Sequence, residues 1–466
     1  MVSSSFEQIV NVEKIKKGPL GKLPTSPPHF HPFISVPFYP PTHAYAFSLP
    51  SSFSLFNFFA MDSSRNLKRK SQEYEAPIFG LDELNQDLLE RVLSRLPAAS
   101  FFRLSSVCKR WKSVADSATF RLACSDVPSR EPWFYMVGPH FSRPVVYDSS
   151  EENWKVLRCP SFLRPEPENE DSCCNFVPVA ASGGLLCFHS ESDGFVVSNP
   201  VTGFYRRIPS PESEESPLQA IAMASATNSY KLVLVSGEFP KLSFRVYDSG
   251  ESKWGEKAFL RRKDPSDGSS GNSNSIEDLD DYPLYFLSKC GNLVASELQR
   301  SPCKQYSSVI SSNSGDETVY FLSPSGTVVA CNLAGKWFVE YPRLLPLDHE
   351  YSIDLVECRG EVYAVALSDY LESASLRVWR FDDEKTWEWE QVSAMPPALS
   401  HEFYGKTVDI NCAGAGNRIF VCASCSEFCR YFVCNLEGNE WVELPNGNGN
   451  EFSCAFSFEP RIEAST

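Results

Sequence analysis

Six times between Trp133 and the end of the chain, a β-rich stretch runs into a polar turn and leaves it through an aromatic. The stretches are VVYDSSEENWKVL, VVSNPVTGFYRRIP, RVYDSGESKWGEKAF, VVACNLAGKWFVEYP, RVWRFDDEKTWEWEQV and FVCNLEGNEWVELP. Their aromatics are Trp154, Tyr205, Trp254, Trp337, Trp387 and Trp441, spaced by 51, 49, 83, 50 and 54 residues. A period near 50 in β-rich sequence points to a stack of equivalent units. The one long interval contains RRKDPSDGSSGNSNSIEDLDD (261–281), whose charge and low complexity predict a disordered insertion beside one unit.

Alternation and turn residues predict four strands per unit, with the fifth as template: IDLVECRG, EVYAVALSD, LRVWRFDD and WEQVSAMP. A sheet this small cannot bury both faces alone, so six must stack radially around a channel. The first unit has only three strands, WFYMVG, VVYDSS and WKVLRC, and one run, FSCAFSFEPRI (452–462), is left over after the sixth. That terminal run is expected to complete the first unit and close the ring. The predicted fold class is mostly β: a short all-α module at 80–125, then a six-bladed β-propeller at 131–462 closed by a C-terminal strand, behind a disordered leader and basic tail at 1–79.

The all-α module is read from Leu81 to Cys124. Leu84, Leu88, Leu89, Val92, Leu93 and Leu96 recur on one stripe of an amphipathic helix, which Pro97 stops. Ser100 is placed to cap a second helix through Phe101, Phe102 and Leu104, and Val107, Trp111 and Val114 space out a third. Three short helices over about 45 residues bury too little surface to fold well unaided, so the stripe is expected to dock on another chain.

The run Leu-Leu-Glu-Arg-Val-Leu-Ser-Arg-Leu-Pro (88–97), then Phe-Phe-Arg (101–103), Val-Cys-Lys-Arg-Trp (107–111) and Phe120 resembles an F-box, with identities in order over about forty positions. The resemblance implies docking onto the Skp-type adaptor of a cullin–RING ubiquitin ligase through Leu84, Leu88, Leu89, Val92, Leu93, Leu96, Pro97, Phe101, Val107, Cys108 and Trp111. The family usually opens on Leu-Pro; here Leu84 precedes Asn85. Together with the repeats, the chain resembles the plant F-box proteins with kelch-type propellers, although the Gly-Gly doublet of such repeats occurs once, at Gly183-Gly184. The function so implied is substrate recognition in an SCF ligase. The alternative from another class is an F-box propeller that scaffolds or sequesters without delivering substrates.

Charge narrows the partners. The chain carries a net −16, while 81–125 holds seven Lys or Arg against five Asp or Glu. An acidic body disfavours nucleic acid, and the slightly basic module suits an acidic adaptor. No run of 18 apolar residues predicts a membrane span. The first 60 residues hold nine Pro and no Arg, which reads as a leader that Met61 could replace as the start; Arg65, Lys68, Arg69 and Lys70 form a basic cluster compatible with nuclear import, so nucleus and/or cytoplasm is expected.

Among sixteen cysteines, Cys422, Cys425, Cys429 and Cys434 come nearest to a zinc pattern, but FVCASCSEFCRYFVCN reads as two strands and a turn whose cysteines alternate across a sheet. No metal, cofactor or catalytic residue is expected, and no nucleophile–base motif is visible. The loops PRLLPLDHEYSIDL and PPALSHEFYGKTVDI place His349, Glu350, Tyr351, His401, Glu402, Phe403 and Tyr404 at equivalent crossovers, and these are the candidate substrate face.

Overall fold

The computed structural model describes residues 84–466, with breaks at 138–143, 164–175, 212–215, 227–228, 264–284, 288–292, 296–298, 301–305, 314, 324–325, 346–350, 371–372, 384–385 and 446–453. The leader at 1–79, with its basic cluster, lies outside the described residues.

Strand alternation and the 50-residue period become six antiparallel sheets. The first blade comprises Cys454–Phe458, Trp133–Val137, Val145–Asp148 and Asn153–Val156. The second is Val177–Ser182, Leu185–Ser190, Gly194–Ser198 and Tyr205–Ile208, and the third Leu218–Ser225, Tyr230–Glu238, Lys241–Asp248 and Lys253–Trp254. The fourth is Ser308–Asn313, Asp316–Leu322, Val328–Asn332 and Trp337–Glu340, the fifth Tyr351–Cys358, Glu361–Tyr370, Ser373–Asp382 and Glu388–Ala394, and the sixth Asp409–Ala415, Arg418–Ser424, Cys429–Asn435 and Glu440–Glu443. Consecutive buried side chains alternate between the cores on either side of each sheet, so Val233 and Leu234 belong to different inter-blade clusters.

Closure follows the expected scheme. Cys454–Phe458 pairs antiparallel with Trp133–Val137, in the register Trp133 to Phe458, Tyr135 to Phe456 and Val137 to Cys454. Phe452 lies outside the described residues.

The repeat marker is sharper in the structure than in the sequence. Each outer hairpin has a residue in the left-handed region, namely Glu152, Gly203, Ser252, Lys336, Trp387 and Asn439, and two residues later the aromatic that pairs across the hairpin. Those aromatics are Trp154, Tyr205, Trp254, Phe338, Trp389 and Trp441, so Trp337 is corrected to Phe338 and Trp387 to Trp389, and the intervals become 51, 49, 84, 51 and 52. Asn or Asp side chains build the same turns: Asp148, Asp248, Asn199, Asn332 and Asn435 each accept a hydrogen bond from a backbone N–H two or three residues on.

These outer aromatics staple blade to blade. Trp154 Nε1 donates to the carbonyl of Pro445 at 2.7 Å, Trp254 to Pro209 at 2.8 Å and Trp389 to Pro342 at 2.7 Å, each proline following the outer strand of the preceding blade. Trp441 instead reaches the buried Ser393 Oγ at 2.9 Å. Trp441→Phe, which keeps the ring but leaves that buried pair unmade, should lower stability by about 1–3 kcal/mol, read as a fall in urea midpoint at unchanged slope.

The disordered insertion expected at 261–281 does not include its first two residues. Arg261–Arg262 is a strand, parallel to Trp337–Phe338 at the outer edge of the fourth blade. Beyond Lys263 the long interval also holds Tyr285–Leu287 paired with Leu293–Ala295, and Gln299–Arg300 on the inner edge of the fifth blade. Residues 264–281 lie outside the described residues.

The all-α module has four helices, not three: α1 Gln86–Ser94, α2 Ala98–Ser105, α3 Lys109–Val114 and α4 Ala118–Ser125. Asn85 caps α1 by accepting from the Asp87 N–H at 3.3 Å, the role open to Asn where the family has proline. Pro97, not Ser100, is the N-cap of α2, and Ser117 caps α4 by accepting from Phe120 N. The fourth helix was hidden because its apolar anchors, Phe120 and Cys124, span a single turn.

Candidate functional site

A six-membered stripe on α1 does not survive as a single face. Leu89 and Leu93 are 1% and 2% exposed, whereas Leu88 and Val92, one turn apart, are 51% and 52% exposed. Leu84 and Leu96 are half-buried. Sequence spacing put all six together because apolar residues on a nine-residue helix cover more than one side: the inner ones pack on α4 and the propeller, and the outer ones stay free. Phe101 and Trp111 are also interior, Phe101 stacking on Phe120 with centroids 4.8 Å apart. Pro97, Val107 and Cys108 are exposed, Val107 by 70%. Leu122 on α4, 68% exposed, joins the outward apolar residues and was not singled out by sequence.

The helices are not tethered to the propeller; they share its core. Leu89, Leu93, Phe101, Trp111 and Phe120 belong to one buried cluster with Trp133, Tyr135, Leu186, Phe188 and Phe458, at the junction of the first and second blades. Polar contacts lock the joint. Arg103 on α2 pairs with Glu151 in the first blade's outer turn, and Glu151 also meets Lys155 Nζ at 2.9 Å. Arg130 donates to the carbonyls of Ser94 at 2.8 Å and Leu96 at 3.1 Å, satisfying the C-terminal end of α1. Arg461, past the closing strand, donates to the carbonyls of Val127 at 3.1 Å and Pro128 at 2.9 Å. Sequence reasoning gave none of these three arginines a role in the joint, although Arg103 stands in the Phe-Phe-Arg run and Arg461 in the terminal run.

The proposed substrate loops are only partly described. His349 and Glu350 lie outside the described residues. Tyr351 is buried at the start of its strand, and burial pushes its hydroxyl up to about 12. Phe403 is interior, 5.7 Å from Phe428 and 5.9 Å from Phe432 by centroid, and Glu402 pairs with Arg430 at 3.4 Å. Tyr351 and Phe403 therefore pack the blades and offer a partner nothing; His401 and Tyr404 are exposed.

The cysteine pattern needs one correction. Cys422 and Cys429 converge, their sulfurs 3.5 Å apart on the face toward the first blade, while Cys425 and Cys434 pack on the opposite face. The C-x2-C pair is thus split by the sheet. Among the described residues no group of three or more His, Cys, Asp or Glu is arranged to hold a metal, and no helix is long and apolar enough to cross a membrane.

With this geometry in place, the comparisons are direct. Residues 81–122 match the F-box domain, and residues 146–422 match the KIB1-4 beta-propeller. F-box only protein 13 of Arabidopsis thaliana is 49% identical over 420 residues, covering 85% of this chain and 90% of that protein. The chain belongs to the F-box proteins with a KIB1-4 beta-propeller. F-box only protein 6 of the same plant is 27% identical over 78% of this chain and 69% of its own length, and F-box/kelch-repeat protein At3g61590 is 31% identical over 34% and 38%. The propeller of this F-box protein is thus matched by the KIB1-4 type.

Proposed function

We propose that this F-box protein is the substrate-recognition subunit of an SCF-type cullin–RING ubiquitin ligase, a non-catalytic receptor in the nucleus and/or cytoplasm. The observation that carries the reading is the free apolar edge of the F-box. Leu88 and Val92 on α1, and Val107 at the α2–α3 turn, stand in water on a module whose inner side is already satisfied by the propeller. Exposed aliphatics on a module with a filled core mark a surface that a second protein covers. The Skp-type adaptor is that protein in this reading, and the propeller holds the protein to be ubiquitylated while other subunits carry the chemistry.

The test is affinity purification of the full chain with the proteasome blocked, comparing the native protein with a form altered at the outer edge of α1. The native form should bring down adaptor, cullin and a bound protein; the altered form should retain only the last. Loss of the chain should lengthen that protein's half-life. An unchanged half-life would favour the scaffolding alternative.

A further inference from the structure

Strand pairing in the sixth blade puts Cys422 opposite Tyr431 and Ser424 opposite Cys429, so Cys422 and Cys429 are diagonal neighbours on the face toward the first blade. Their sulfurs are 3.5 Å apart. A disulfide needs about 2.05 Å, which leaves about 1.5 Å to close. The pair is asymmetric. Cys422 is 1% exposed, and its contact with the Cys429 thiol together with burial pushes its own thiol well up, whereas Cys429 is half-buried at the end of the turn. Cys429 Sγ donates to Tyr431 Oη at 3.2 Å, which holds that sulfur on the shared face. An oxidant arriving from solvent meets Cys429 first, with Cys422 behind it as the resolving thiol.

The turn that these cysteines bracket props a neighbouring segment. Glu427 pairs with Lys406 at 2.9 Å, the same Lys406 Nζ lies 4.8 Å above the Phe428 ring, and Phe428 stacks on Phe403 at 5.7 Å. Arg430, the residue after Cys429, meets Glu402 at 3.4 Å. These contacts hold the crossover between the fifth and sixth blades, on which His401 and Tyr404 are exposed. Whatever fixes the base of the turn therefore also fixes that crossover. A reducing compartment keeps such a pair as thiols until an oxidant arrives, which is the condition for a switch rather than a permanent bridge.

We propose that Cys422 and Cys429 form a reversible disulfide under hydrogen peroxide, a clamp across the base of the turn that stiffens the crossover bearing His401 and Tyr404. The Cys429 thiolate attacks one peroxide oxygen and the O–O bond breaks; Cys429 becomes a sulfenic acid, and the departing hydroxide takes up the proton given by the thiol to form water. Cys422 then attacks the sulfenic sulfur. The S–S bond forms, the S–O bond breaks, and the departing oxygen takes the Cys422 proton as a second water. Two thiols lose two electrons and one peroxide is reduced to two waters; a dithiol reductant reverses the bridge. A crosslink across a short turn removes its open conformations, and the crossover propped on that turn loses the same freedom. The clamp does not depend on the receptor role.

The test treats the full chain with hydrogen peroxide, alkylates the remaining thiols and maps an unreduced digest by mass. A peptide linking Cys422 to Cys429 should appear, lighter by two hydrogens than the thiol pair, and should vanish after dithiothreitol. Cys429→Ser should abolish it. Cys422→Ala should replace it by a sulfenic acid at Cys429, trapped with dimedone, while Cys425→Ser, in the same turn but on the opposite face, should leave the linkage unchanged. Amide hydrogen exchange in the oxidised protein should slow about tenfold at 424–430 and fall at 401–406 as well, with Trp337–Glu340 of the fourth blade unmoved. Linkage of Cys422 to Cys412 or Cys454, the other thiols near it, would overturn the pairing, as would a sulfinic acid at Cys429 with no linked peptide. A linked peptide with exchange unchanged at 401–406 would overturn the clamp. If Cys422→Ala does not fold, Cys429→Ser at its half-buried position and the map of the native chain decide the pairing.

Discussion

A chain truncated after Asn450 should fail to yield a monodisperse protein and should aggregate on expression, although it loses only the last sixteen residues. The deleted segment contains the innermost strand of the first blade, whose pairing with Trp133–Val137 is the backbone pairing that closes the ring. Without it Trp133, Tyr135 and Val137 lose their partner strand and a buried sheet edge becomes a template for intermolecular pairing. The tail beyond the strand holds more. Asn199 Nδ2 donates to the carbonyls of Arg461 at 2.8 Å and Ala464 at 3.0 Å, so the second blade and the F-box joint are loosened by the same deletion. Size-exclusion chromatography checks this, with the full chain as reference. A soluble monomer that melts as the full chain does would refute ring closure as the source of stability.

Leu88→Asp with Val92→Asp should abolish adaptor co-purification while the melting temperature stays within a few degrees of native. Both side chains are half-exposed, so the new carboxylates cost the free protein little and the cost falls on the interface, where burying an unpaired charge is worth several kcal/mol. Leu89→Asp with Leu93→Asp should behave differently. These positions sit inside the core common to α1 and the first two blades, and charge there should unfold the joint, lowering both stability and adaptor binding. Measured side by side, the two pairs separate a docking face from a packing face. Adaptor capture undiminished by the Leu88 and Val92 changes would sink the assignment of that edge.

Periodicity was legible because every blade repeats the same physical problem. Each outer hairpin places an aromatic two residues after its left-handed turn residue, and five of the six build the turn on an Asn or Asp side chain, so both leave residues at a fixed spacing. Closure was legible from counting strands, since a three-stranded first unit and an orphan last run have one economical solution. What sequence could not separate was inside from outside on α1: Leu88 and Leu89 are chemically identical, and only the position of the propeller decides which is free. It also missed the joint, because Arg130 and Arg461 act on backbone carbonyls more than 30 residues away and leave no motif. The candidate substrate loops failed in part for the opposite reason, since an aromatic beside charges looks alike whether it faces a partner or, like Phe403, a neighbouring blade.

The common core of α1–α4 and the first two blades changes what a domain boundary means in this chain. Sequence draws the boundary near residue 130, but the interior side chains on either side of it belong to one cluster. Cutting there should give two fragments with complementary raw faces. A chimera made by exchanging F-boxes between relatives would need the matching residues of the first two blades, Trp133, Leu186 and Phe188 among them, to travel with the helices. The angle at which any bound adaptor stands to the propeller is then inherited as a property of packing, not of a linker, and would drift in evolution only as fast as core residues are exchanged.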